Sequence, residues 1–296
     1  MFKIIRLRKL WYIISLTLVA MSVVSLFVFG LRVGIDYKGG TIITYETAQI
    51  GATEIIESKL NDLAINSYQV KASSDNQIIV KTPQLEANQH QDLNQKITLD
   101  VPDIKELKYD SIGPSIGQDL RNKSIIAISL ASLAIIIFIA FAFRKVPKPL
   151  KSWKFGFLAV IALLHDLLIT TGMVSLLGHF FVWLEVDALF ITALLTVMGF
   201  SVHDTIVIYD RLRENFIKNP HKKIETVAEE SVNQTLARSI NTSLTTIIVL
   251  TALMLLGGTS IRHFILVLLI GIFIGTYSSI FVAAPLLVSW HKDKRN

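Results

Sequence analysis

Apolar residues along this 296-residue chain follow two patterns. Six stretches are apolar at nearly every position and match the ~17–25 residues a helix needs to cross a bilayer. They are Trp11–Leu31, Ser124–Phe143, Phe155–Leu177, Ala188–Tyr209, Ile240–Leu256 and Phe264–Trp290. The region between the first two alternates instead. Thr41–Glu46 reads as a strand, and Ala52–Leu63 as a helix with Ile55, Ile56, Leu60 and Leu63 at helical spacing. Tyr68–Ala72 and Gln77–Lys81 flank Ser73-Ser74-Asp75-Asn76, a hairpin signal. Leu85–Ile97 reads as a polar, weakly periodic helix and Ile104–Tyr109 as a last strand. The order β-α-β-β-α-β predicts a ferredoxin-like split motif. The expected fold is an α-helical polytopic membrane protein: six spans, with one α+β domain inserted between the first two.

Charge orients these elements. The net charge of +6 divides into 13 acids against 7 bases over Val33–Leu120 and 10 acids against 22 bases elsewhere. The basic residues gather beside apolar runs. Lys3, Arg6, Arg8 and Lys9 precede the first span, and Arg144, Lys145, Lys148, Lys151 and Lys154 follow the second. Arg211, Arg213, Lys218, Lys222 and Lys223 follow the fourth, and Lys292, Lys294 and Arg295 end the chain. With six spans all four groups fall on one side, which the positive-inside rule makes cytoplasmic. Both termini are then expected in the cytoplasm. The expected order is residues 1–10 as the cytoplasmic N-terminus, 11–31 as span one and 32–123 as the outside domain. Residues 124–143 follow as span two, 144–154 as a cytoplasmic loop, 155–290 as spans three to six and 291–296 as a cytoplasmic tail. The first apolar run lacks an A-x-A cleavage site and reads as an uncleaved anchor. The only sizeable region outside the spans is acidic, which argues against nucleic-acid binding. There is no cysteine, so disulfides and thiolate chemistry are excluded.

Candidate chemistry lies where ionisable groups interrupt the spans. Asp204 sits in the fourth and His165-Asp166 in the third. An ionisable group at bilayer depth costs about 3 kcal/mol on insertion scales and marks a functional site by default. Arg238 stands just before the fifth span, and Asn241, Thr242 and Thr245 share its helical face. That face is expected to meet Asp204. A carboxylate in a dry site holds its proton and beside a cation releases it, so Asp204 and Arg238 form a candidate proton-coupling pair. Packing alone also accounts for such a pair, and Arg238 at a helix end also serves the positive-inside rule. His165, Asp166, His203, Asn241, Thr242 and Thr245 are candidates for a proton pathway or for helix packing. Gly271-x-x-x-Gly275 is a close-packing motif. His165, Asp166 and His203 match no strong metal-ligand spacing. No G-x-x-x-x-G-K-[ST] motif is present, so no metal, cofactor or nucleotide is expected.

At these residues the chain resembles the SecF family of the SecD–SecF translocation complex, within the resistance-nodulation-division superfamily. The resemblance runs through Gly34–Thr41, GIDYKGGT, and Gly113–Gly117, GPSIG. It continues through His165-Asp166, Gly199–Asn215, GFSVHDTIVIYDRLREN, Arg238–Thr246 and Gly275–Pro285. His203 departs from the asparagine usual there. The resemblance implies a non-enzymatic protein-transport subunit of the bacterial inner membrane with a periplasmic ferredoxin-like domain. It implies that proton-motive force drives a late step of export. SecD would supply the other half, and the SecYEG channel, YajC, YidC and an unfolded preprotein are further candidate partners. It also places the key carboxylate at Asp204 and its arginine at Arg238. Gly39-Gly40 and Gly113-Pro114 flank the outside domain and are candidate hinges or fixed turns. Half of a proton-coupled small-molecule exporter and a structural assembly subunit are the competing functions.

Overall fold

The computed structural model describes residues 2–65, 67–72, 76–143, 152–181, 183–258 and 261–291. The basic positions Arg144, Lys145, Lys148, Lys151, Lys292, Lys294 and Arg295 lie outside the described residues, as do Ser73, Ser74 and Asp75 of the expected turn. The chain divides into two compact units, Val33–Ile125 and the remainder.

The smaller unit begins with a short helix, α2 (Ile35–Lys38), which the alternation pattern did not predict. It continues as β1 (Gly40–Glu46), α3 (Ala52–Asp62), β2 (Gln69–Ala72), β3 (Gln77–Thr82), α4 (Ala87–Asp100) and β4 (Lys105–Ile112). The sheet is antiparallel with order β2-β3-β1-β4, the ferredoxin-like arrangement. Period-2 alternation puts Ile43 and Tyr45 of β1 and Ile78 and Val80 of β3 on one face. Ile56 and Leu60 of α3 and Leu93 and Ile97 of α4, each pair four residues apart, cover that face. Only two of α4's own residues are buried, yet the helix is well defined. Glu86 and Gln89 close a reciprocal capping box at its start. The polar Asn94 is used internally, accepting the Tyr45 hydroxyl and donating to Glu106 of β4. Burial raises the Tyr45 hydroxyl far above its ordinary pKa, so it stays a donor.

Two glycines fix the entry to the sheet. Gly39 and Gly40 have φ of +76° and +138°. A Cβ on Gly39 would stand 3.0 Å from Pro114 backbone atoms, and one on Gly40 would stand 2.8 Å from the Thr82 carbonyl oxygen. The backbone of this segment therefore touches the start of α5 (Pro114–Ala142), where Pro114 occupies the first helical position.

The larger unit holds α1 (Arg8–Val28), the rest of α5, α6 (Ser152–Phe180), α7 (Ala188–Lys218), α8 (Ile224–Leu256), α9 (Arg262–Ser278) and α10 (Ala284–Trp290). Six helical segments are long and apolar enough to cross a membrane, α9 and α10 counting as one. Several helices outrun the apolar stretches that predicted them. α8 starts sixteen residues before Ile240, and α7 continues nine past Tyr209. The hydrogen-bond ladder does not stop where the side chains become polar. The sixth segment is interrupted by a π-helical turn, Ser279–Ala283. Pro285 follows it; proline has no N–H for the carbonyl four residues back, and its ring crowds that carbonyl, which a widened turn relieves.

The helices approach through small residues. A Cβ on Gly172 of α6 would fall 2.2 Å from Ser22 Cβ of α1, and one on Gly271 of α9 would fall 2.2 Å from Val197 of α7. At the other end, Glu229 of α8 accepts the backbone N–H groups of Ile4, Ile5 and Arg6, while Asn233 pairs with both backbone groups of Phe2. A carboxylate thus caps the turn that leads into α1, beside the buried Ile4 and Ile5. Glu229→Ala should leave those N–H groups unpaired at a cost of ~1–3 kcal/mol. The expected outcome is a lower melting temperature of the detergent-purified protein and faster proteolysis of residues 2–9, with Glu229→Gln intermediate.

Candidate functional site

The intramembrane carboxylates occupy two different settings. Asp166 on α6 is wholly buried. Its Oδ1 is 2.9 Å from His165 Nδ1, and its Oδ2 accepts hydroxyls from Ser201 of α7 and Ser278 of α9, each at 2.6 Å. Asp204 on α7 is buried too, but at the edge of the bundle. Its Oδ2 accepts the Ser243 hydroxyl of α8 at 3.4 Å, and Ser243 accepts from Thr276 of α9 at 2.6 Å. The neighbouring His203 is 60% exposed, with Nδ1 3.7 Å from Asp204 Oδ1.

Arg238 is exposed and makes no ion pair among the described residues, although its charge reaches Asp204. Asn241, Thr242 and Thr245 share its exposed face. The face of α8 that meets Asp204 is instead the serine–threonine row Ser231, Thr235, Ser239 and Ser243 at four-residue spacing, all buried. The expectation that Asn241, Thr242 and Thr245 would contact Asp204 is thus corrected. Small residues permit close approach to α7 and α9, so the serine face turns inward and the bulkier polar face turns away.

Both carboxylates draw on one stretch of the sixth segment. Thr276, Ser278 and Ser279 are near neighbours on the chain, and Ser279 contacts both Thr205 Oγ1, at 3.0 Å, and the Ser201 carbonyl, at 3.2 Å. Ser201 lies one turn before Asp204 and Thr205 on α7. A seam of hydroxyls therefore lines the meeting of α6, α7, α8 and α9 at the level of the carboxylates. Gly275 makes the seam possible, since a Cβ there would stand 3.1 Å from Ser201 Cβ. Ser201, Ser243, Thr276, Ser278 and Ser279 went unread as site residues in the sequence. The hydroxyl residues at four-residue spacing on α8 and the run of them after Gly275 are the signals that mark them. Gly39 and Pro114, named as a hinge or a fixed turn, are in backbone contact, and Gly113 adjoins them.

Residues 92–293 match the family model for the protein export membrane protein SecD/SecF, C-terminal, and residues 24–49 match the SecD/SecF GG motif. The protein translocase subunit SecF of Thermobaculum terrenum is 43% identical over 99% of this chain and 95% of its own. That of Anaerolinea thermophila is 40% identical over 99% and 96%. The crystal structure of SecDF, a translocon-associated membrane protein from Thermus thermophilus, aligns with 98% of this chain at a TM-score of 0.83 and 32% identity. This chain spans 38% of that longer protein.

Close contact between α7 and α9 sets the seam's geometry. Gly271→Leu should force the two helices apart at an overpacking cost of ~1–3 kcal/mol. The expected result is a lower melting temperature in detergent and weakened export in cells, with Gly271→Ala milder in both.

Proposed function

This chain belongs to the SecF family of protein translocase subunits, and from that premise we propose that it turns proton movement past Asp204 into work on an exported protein. It is a multi-pass membrane protein whose family acts in transport rather than in covalent catalysis. Asp204 binds and releases the proton, and Arg238 is the cation that favours release when the two approach. His203 stands on the exposed side of Asp204, where it feels the same field.

The observation that carries this reading is the placement of polar groups on α8. Arg238, Asn241, Thr242 and Thr245 form an exposed stripe on α8 at the level of Ser243, the residue that reaches Asp204, where the apolar part of the helix begins. Polar side chains facing hydrocarbon are costly, so such a stripe belongs against protein or a water-filled path. A second half of similar architecture supplies that cover, and SecD is the partner of choice, because SecD and SecF are joined in one longer chain in SecDF. Proton release and uptake at a boundary between halves couples charge to their relative arrangement. A proton crossing the whole field carries about 2.3 kcal/mol per 100 mV. That energy is delivered to the preprotein on the periplasmic side, next to the SecYEG channel, with YajC and YidC as accessory partners. The acidic domain of residues 33–125 lies on that side, and both termini lie in the cytoplasm, the orientation favoured by the basic loops.

Asp204→Asn keeps the side chain's shape and removes its charge. The account expects export of a secreted preprotein to fall to the level of cells lacking the subunit, with unchanged membrane abundance and unchanged co-purification with SecD. Export retained in full by Asp204→Asn at normal abundance removes Asp204 from the cycle and leaves a packing role.

A further inference from the structure

We propose that Asp166 and His165 form a second proton-binding site, separate from Asp204 and linked to it through the hydroxyls of α7 and α9. The inference rests on the proton-coupled reading above and adds a second carboxylate to it.

Three observations support it. Asp166 is fully withdrawn from solvent, whereas Asp204 sits at the bundle's edge. Its partners are two serine hydroxyls and one imidazole, with no lysine or arginine among them. An ionised carboxylate held this way is strongly disfavoured unless the His165–Asp166 unit carries one added proton. Third, His165 Nε2 is buried and has no hydrogen-bond partner among the described residues. Buried polar atoms are rarely orphaned, and an orphan on a titratable ring at membrane depth is a place where a proton arrives or leaves.

The proton balance is simple. In the empty state His165 is neutral with its hydrogen on Nδ1, donated to the Asp166 carboxylate. A proton binding the Nε2 lone pair makes an imidazolium. The Nδ1–H bond then breaks as an O–H bond forms at Oδ1. The filled state is a neutral carboxylic acid beside a neutral imidazole carrying its hydrogen on Nε2. Release runs the same steps backwards.

Filling the site alters the grip on two other helices. The hydroxyls of Ser201 and Ser278 both donate to Oδ2, and such bonds are stronger to an ionised oxygen than to an acid. Ser201 stands one turn from Asp204 on α7. Ser278 ends α9 immediately before the π-helical turn Ser279–Ala283, where the ladder of the sixth segment changes register. The charge on Asp166 therefore acts on the helix of Asp204 and on the one irregular turn in the described part of the sixth segment.

The surrounding titratable groups are few. In the described structure α1, α5, α7, α9 and α10 pack against α6. Within their apolar stretches they bring Tyr12, His203, Asp204, Tyr209 and Tyr277. None of these hydrogen-bonds to Asp166 in the described structure. Tyr12 pairs with Ser289, Tyr209 with the Ala283 carbonyl and Tyr277 with Ser15. The fixed charges of these helices and of α6, such as Arg8, Lys9, Lys154, Arg211 and Arg262, lie toward helix ends.

The test is infrared difference spectroscopy of the full chain purified with its partner half, stepped across pH, reading the carbonyl stretch of protonated carboxyl groups. Two such bands are expected, one lost in Asp166→Asn and the other in Asp204→Asn. Persistence of every acid band in Asp166→Asn overturns the second site without touching Asp204. Loss of no band in Asp204→Asn overturns the wider reading while leaving Asp166 standing. If Asp166→Asn does not accumulate, His165→Asn keeps the carboxyl and removes the titrating ring. The Asp166 band should then titrate at a pH shifted from wild type by at least one unit, and an unshifted band overturns the proposal.

Discussion

Every polar group at bilayer depth needs a partner, because hydrocarbon supplies none. That constraint organises the larger unit. Hydroxyls of α7, α8 and α9 converge on two carboxylates, and glycines at 172, 271 and 275 let the helices come close enough for short side chains to reach. A longer residue at Gly275 would push Ser201 off Asp166, and a bulkier one at Ser243 would displace the only hydroxyl that reaches Asp204 in the described structure. Small residues here are part of the chemistry as well as of the packing.

The same constraint separates satisfied surfaces from unsatisfied ones. Ser239 and Ser243 turn inward, whereas Arg238, Asn241, Thr242 and Thr245 remain exposed on the opposite face of α8. An isolated half leaves that stripe uncovered. The structure is therefore coherent as part of a larger membrane assembly, in line with the family to which the chain belongs.

Much of this was legible in the sequence, and the limits are physical. The six apolar runs and the β-α-β-β-α-β alternation report directly on solvent exposure, so spans and sheet followed from them. Helix ends did not, because α7 and α8 continue beyond the apolar stretch on hydrogen bonds alone. Periodicity grouped Arg238 with Asn241, Thr242 and Thr245 correctly, but it cannot say which face of a helix turns inward. Side-chain size at the α7 and α9 contacts decides that. α4 looked weak because its strength lies in the Glu86–Gln89 cap and in Asn94, which apolar patterning does not register. The Glu229 cap on residues 4–6 joins positions more than two hundred residues apart and leaves no local trace.

The central claim is that the exposed polar stripe of α8, at the level of Asp204, faces a second protein half and not lipid. The chain has no cysteine, so a single introduced thiol reports from an otherwise silent background. The most direct measurement is site-specific cross-linking in intact membranes from Thr242→Cys and Asn241→Cys. The account predicts adducts to SecD from positions 241 and 242, abolished when SecD is absent. Adducts to lipid alone from both positions, with SecD present at normal levels, would contradict it.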